Sequence, residues 1–187
     1  MYSINIIIDR AVNKNCAVSQ KQIYDLYSRK MYSIILRICG SRHDSEDILQ
    51  DCFIKVFRGL NQYQGKGSFE GWLRKIAIHT TLNYIKTRIR FSEIGDYSNI
   101  YNSKIDSASG TVNLQLGYIN YILSKISYAN RIVFVLYVFE GYSLKEISKI
   151  LKIKESACRC RYMRAKVALK SMISNQNFEN KKIVETA

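Results

Sequence analysis

Histidine is nearly missing from this 187-residue chain, which holds two, His43 and His79. No phosphate-cradling glycine motif accompanies them. Hydrolase or nuclease chemistry built on the acids between Asp44 and Asp51 therefore lacks its partners, and no catalytic residue is assigned. Long apolar runs are missing too: none reaches the roughly 18 residues of a membrane span. The longest, Ile132 to Phe139, is bracketed by Arg131 and Glu140, so membrane insertion is not expected. The Ile6-Ile7-Ile8 run is too short for a signal-peptide core and is followed at once by Asp9-Arg10, which points to a cytoplasmic protein. Five cysteines, an odd number without paired spacings, give no disulfide framework. Cys158 and Cys160 point to different faces of a helix and have no nearby His to complete four ligands, so neither a metal nor a cofactor is expected.

Acids are the other scarce class. Lys plus Arg number 29 against 15 Asp plus Glu, a net charge of +14, so the expected partners are polyanions. Hydrophobic residues make up 47% of the chain, enough to bury real cores in one large domain or two small ones.

The most informative stretch runs from Ser127 to Lys170. Ser143 is followed three residues later by Glu146, a reciprocal capping pattern, and Leu144, Ile147, Ile150 and Leu151 recur at helical spacing. Lys152 to Lys154 interrupt this short helix, with Ile153 placed to plug the turn. In the helix that follows, Cys158, Tyr162, Ala165 and Leu169 form one stripe, while Arg159, Met163, Lys166 and Lys170 fall elsewhere. From Lys152 to Lys170 the one acid is Glu155, against seven basic residues. A merely solvated face is the commoner fate of such charge. The capped helix, the tight turn and the apolar helix upstream favour instead a helix-turn-helix docked on DNA phosphates.

Earlier in the chain, Ile23, Leu26, Tyr27, Met31, Ile34, Ile35 and Ile38 step by three and four as the inward face of a helix from Gln20 to Ile38, stopped by Gly40. Asp44 is expected to cap the next helix, with Glu46 and Asp47 in its first turn and Leu49, Cys52 or Phe53, Val56 and Leu60 buried. Asn61 to Gly71 reads as a loop and Trp72 to Arg90 as a helix with Leu73, Ile76, Ala77, Thr80 and Tyr84 inward. Rings, small residues and Lys66 beside a basic helix are what a single-strand nucleic-acid site needs, because rings stack on unpaired bases and cations track the backbone. Residues 1 to 20 carry little pattern, and Ser171 to Ala187 are expected to fray.

Arg131-Ile132-Val133-Phe134-Val135-Leu136, Glu140-Gly141-Tyr142-Ser143-Leu144-Lys145-Glu146-Ile147, and Arg161 with Arg164-Ala165-Lys166 resemble the fourth conserved region of bacterial sigma factors of the extracytoplasmic-function group. Asp44 to Phe57 and Gly67 to Ala77 resemble the second conserved region of the same group, in the family's order. This chain has Lys152 at the family's turn glycine, Ala157-Cys158 at its Thr-Val, and His79 where Asn is frequent. The resemblance implies an all-α protein: a region 2-like helical domain over residues 1–91, a flexible linker over 92–113, a region 4-like domain over 114–172 and a tail over 173–187.

It implies, further, a transcription initiation factor rather than an enzyme, with core RNA polymerase (β′ coiled coil and β flap), promoter DNA and an anti-sigma factor as partners. Asp47, Gln50 and Asp51 would meet the β′ coiled coil. Tyr63, Lys66, Ser68, Phe69, Trp72, Lys75, His79 and Asn83 would melt and hold the minus-10 element. Arg159, Cys160, Met163 and Arg164 would read the minus-35 element, with Arg161 and Lys166 on phosphates. The linker either threads into the polymerase channel, as in the family, or is a plain tether. A stand-alone helix-turn-helix regulator is the alternative function; it explains residues 127–170 and gives the block from Asp44 to Arg90 no role.

Overall fold

The computed structural model describes residues 4–13, 16–91 and 114–185; the expected linker therefore lies outside the described residues. Among them the regular elements are α-helices and one 3-10 turn. The chain divides into two compact units, Met1–Gly95 and Asp96–Ala187.

The first unit opens with a helix the sequence reading did not assign, α1 (Ile4–Asn13), which buries Ile7, Ile8 and Ala11 on one side. Three apolar residues spread over little more than a turn give a weak periodic signal, and it is packing against α2 (Ala17–Cys39) that makes the segment helical. Gly40 ends α2 in the left-handed conformation, at φ 80°, with its N–H donating to the Leu36 carbonyl at 2.8 Å. Ile23, Met31, Ile34, Ile35 and Ile38 are buried, whereas Leu26 is 53% exposed, contrary to the inward place its spacing suggested. The ring of Tyr24 instead lies 4.7 Å from that of Phe53.

The next helix, α3 (Arg42–Gly59), starts earlier than expected because Ser41 caps it, its Oγ accepting from the Asp44 N–H at 3.3 Å. Asp44 is not the cap: it sits inside the first turn, buried, and accepts from Tyr84 and Arg88. A 3-10 turn (Leu60–Gln62) follows, and then α4 (Phe69–Phe91), begun three residues ahead of Trp72. Helix α3 packs on α4; Ile48, Cys52, Phe53 and Val56 of α3 and Leu73, Ala77, Ile78 and Ile85 of α4 are buried, while Ile76 and Tyr84 are half-buried. Each fully buried isoleucine or leucine contributes roughly 1.5–3 kcal/mol of transfer free energy.

The second unit contains α5 (Leu114–Ser124), α6 (Tyr128–Val138), α7 (Leu144–Leu151) and α8 (Glu155–Glu185). Helix α6 buries Arg131, Ile132, Val133, Val135 and Leu136, as expected of the helix that supports the pair after it. The Ser143 Oγ accepts from the Glu146 N–H at 3.3 Å, and the Ser143 N–H donates to Glu146 Oε2 at 2.8 Å, so the capping box is complete. Lys152 closes α7 in the left-handed conformation, and the Ile153 N–H donates to the Ser148 carbonyl at 3.1 Å. Helix α8 continues through Glu185, past the expected end near Lys170. Polar residues do not interrupt a helix that has already been nucleated, because each added residue needs only one further backbone bond.

Candidate nucleic-acid interface

The loop between the 3-10 turn and α4 has a defined shape. Gly65 and Gly67 take φ values of 71° and 86°, where a side chain would be strained. The Tyr63 hydroxyl donates to the Gly67 carbonyl at 2.9 Å, and the Ser68 Oγ accepts from the Gly71 N–H at 3.1 Å. Beneath the loop lies an aromatic floor: Tyr63 is 5.1 Å from Phe69 and 5.6 Å from Trp72, and the rings of Phe69 and Trp72 stack at 5.6 Å. Tyr27 supports Phe69 edge-on at 5.6 Å. Phe69 is buried, so it seats the other rings, whereas Tyr63 and Trp72 are half-buried and Lys66 and Ser68 are exposed.

Along α4, Trp72, Lys75, His79, Asn83 and Lys86 follow at steps of three and four, and all but half-buried Trp72 are exposed. One helix face thus carries an aromatic edge, two cations, an imidazole and a carboxamide. Their chemistry suits stacking, backbone neutralisation and hydrogen bonding to base edges. Arg74 has a different role, since its guanidinium meets Glu70 at 2.8 Å and Glu70 also meets Lys30 at 2.8 Å. Those two cations, Lys30 first, hold the Glu70 carboxyl below its usual range.

On α3, Asp47, Gln50 and Asp51 are exposed together, and His43 Nδ1 lies 3.6 Å from Asp47. What the sequence reading missed is the node behind them. The Asp44 carboxylate accepts from the Tyr84 hydroxyl at 3.0 Å and pairs with the Arg88 guanidinium. Burial first, and then the bond to Asp44, push the Tyr84 hydroxyl above its usual range. Tyr84 and Arg88 stand one turn apart, a signal legible only once a partner is known.

In the second unit α8 turns Cys158, Ala165 and Leu169 into the core. Tyr162 stacks on Phe134 at 6.1 Å and meets Tyr137 at 4.8 Å, fixing the roll of the helix. Arg159, Cys160, Met163, Arg164 and Lys166 are exposed, and Arg161 is half-buried. Arg159 lies 3.7 Å from Glu155, an exposed pair of little energetic weight. Lys152, Lys154 and Lys170 are also exposed, so the outer side of this helix-turn-helix is strongly basic. Among the described residues no group of three or more His, Cys, Asp or Glu side chains comes together, and no helix is long and apolar enough to cross a membrane.

A family model of sigma-70 region 2 matches residues 23–91, and one of sigma-70 region 4 matches residues 116–169. The ECF RNA polymerase sigma factor SigE of Mycolicibacterium smegmatis is 27% identical over 177 residues, covering 92% of this chain and 68% of that protein. SigW of Bacillus subtilis, another ECF RNA polymerase sigma factor, is 28% identical over 162 residues, covering 81% and 87%. Among solved structures, the sigma factor RpoE of Bartonella quintana, in complex with the anti-sigma factor NepR, has a similar fold. Its TM-score is 0.55 at 18% identity, with 82% of this chain and 96% of that one covered.

Proposed function

The chain belongs to the sigma-70 family, in its extracytoplasmic-function group, and directs core RNA polymerase to promoters; from that premise we propose that its two helical units take separate parts of one promoter. The first unit melts and holds the minus-10 element. Tyr63 and Trp72 offer ring surface to an unpaired base, Phe69 seats them, and Lys66 and Lys75 neutralise the strand. Ser68, His79 and Asn83 supply the hydrogen-bonding groups beside it. The second unit reads the minus-35 element in the major groove through Arg159, Cys160, Met163 and Arg164, with Arg161 and Lys166 on phosphates. Asp47, Gln50 and Asp51 dock on the β′ coiled coil, and the second unit meets the β flap.

The observation that supports this division is the pairing in one chain of two unlike surfaces. One is an aromatic-floored glycine loop running into an exposed Lys75, His79 and Asn83 strip, and the other is a helix-turn-helix with a basic second helix. Bond making and breaking belong to the polymerase, so the chain acts in the cytoplasm as a guide and not as a catalyst. RpoE of Bartonella quintana is seen with NepR and CnrH with the cytosolic domain of CnrY. By that likeness an anti-sigma factor is assigned as a further partner here.

Run-off transcription with core enzyme and this chain on a pool of genomic fragments tests the reading. Discrete transcripts that require the chain are expected. No transcript from any fragment, together with no binding of the purified chain to core enzyme, would end it. Binding to a DNA site without core enzyme binding would favour the stand-alone regulator.

A further inference from the structure

Helices α3 and α4 pack on each other, with Ile48, Cys52 and Val56 of the one and Leu73, Ala77 and Ile85 of the other buried, and this packing decides which face of α4 turns inward. Polar ties add to that packing and trim the angle at which α4 presents its exposed strip. Near its start Glu70 holds Lys30 of α2 at 2.8 Å, and in its middle Thr80 accepts from Lys55 of α3 at 3.4 Å. At the far end a buried carboxylate, Asp44, receives both the Tyr84 hydroxyl and the Arg88 guanidinium. Asp44 lies three residues ahead of Asp47 on α3, and Tyr84 is next to Asn83 on α4.

We propose that Asp44 is a positioning residue for promoter opening: it fixes the rotation of the half of α4 that carries Asn83 and Lys86 against α3, which carries Asp47, Gln50 and Asp51. The proposal rests on the assignment of the α4 strip to the minus-10 element. Its physical content is geometric. A roll of α4 by about 20° moves side-chain tips by about 2 Å, enough to break a hydrogen bond to a base edge. Because Asp44 sits at the base of the docking helix, the strip is held in register with the polymerase and not merely with the rest of its own helix. Asp44 itself is buried.

The test uses holoenzyme reconstituted from core enzyme and full-length chain, on a promoter recovered by the run-off selection. Wild type is compared with Tyr84→Phe, Asp44→Asn and Asn83→Ala, and three quantities are read: affinity for core enzyme, the rate of strand opening on duplex promoter, and transcription from the same promoter with a mismatched minus-10 bubble. Tyr84→Phe should slow opening about three-fold and Asp44→Asn about ten-fold, with core affinity and bubble transcription both within about two-fold of wild type. Tyr84→Phe keeps the carboxylate paired with Arg88, so it remains informative where Asp44→Asn fails to fold. A parallel fall in core affinity, or an equal loss on the bubble, makes the node merely structural and overturns the proposal. Wild-type opening by Tyr84→Phe and Asp44→Asn with slowed opening by Asn83→Ala overturns it while leaving the minus-10 assignment standing. Wild-type opening by all three variants removes both.

Discussion

Lys152 offers the sharpest test of the second unit's geometry. It ends α7 at φ 55° and ψ 45° and is, among the described residues, the one non-glycine position with positive φ. A residue with a β-carbon loses roughly 1–2 kcal/mol in that conformation. Glycine avoids this but gives up about 0.5–1 kcal/mol more chain entropy on folding. The lysine charge complicates a direct comparison, since a cation at a helix C-terminus is worth about 0.3–1 kcal/mol. Lys152→Ala and Lys152→Gly both remove that charge, so their difference isolates the backbone. Glycine should be the more stable by about 0.5–1 kcal/mol, the central difference of the two backbone effects. For a unit of this size that is about 2–8 °C in Tm. Thermal unfolding followed by far-ultraviolet circular dichroism measures it. Emission of Trp72, the single tryptophan and a residue of the first unit, serves as the control that should not move. If the alanine variant equals or exceeds the glycine variant, the turn is not held left-handed and the backbone argument is wrong.

Other consequences are equally open to measurement. Arg164→Ala should cost about 1–3 kcal/mol of promoter binding and relax selectivity at one base, whereas Lys166→Ala should weaken all sequences alike and lower the salt slope by about one. Holoenzyme titrations across salt and promoter variants distinguish them, and the reverse pattern exchanges their roles. Thiol labelling of the native chain should modify Cys16 and Cys160 and spare buried Cys39, Cys52 and Cys158; rapid labelling of Cys52, whose pKa burial pushes up to about 12, would mean the first core is open. Glu70 carries a pKa lowered by Lys30 and Arg74. Its stabilising effect is thus present above the ordinary carboxylate pKa and is lost as pH falls through the lowered value. Denaturation of Glu70→Gln followed by Trp72 emission should show a shallower loss of stability from about pH 5 downward, and an unchanged acid limb would remove the ion pairs from the account.

Much of this protein is written locally. Gly40 at the end of α2, the Ser143 and Glu146 capping box and the alternation of buried and exposed positions in α8 each depend on residues within a turn or two of one another. They could be read from spacing alone. Helix α1 could not, since its short apolar face gains stability from α2. Nor could the outward turn of Leu26, because spacing marks a stripe without marking where its edge falls once a neighbour such as Tyr24 on Phe53 has taken the space.

The amino-acid order by itself determined the all-helical character, the succession of two modules and the basic character of both faces, because helix periodicity, caps and charge are properties of neighbouring residues. Tertiary structure alone decided that Ser41 and not Asp44 caps α3, that Asp44 joins Tyr84 and Arg88 some forty residues away, and that Phe69 is floor while Trp72 stands at the edge. A carboxylate one turn into a helix can serve the helix end or a distant donor. Which it serves depends on what the fold brings to it, and no local rule carries that information.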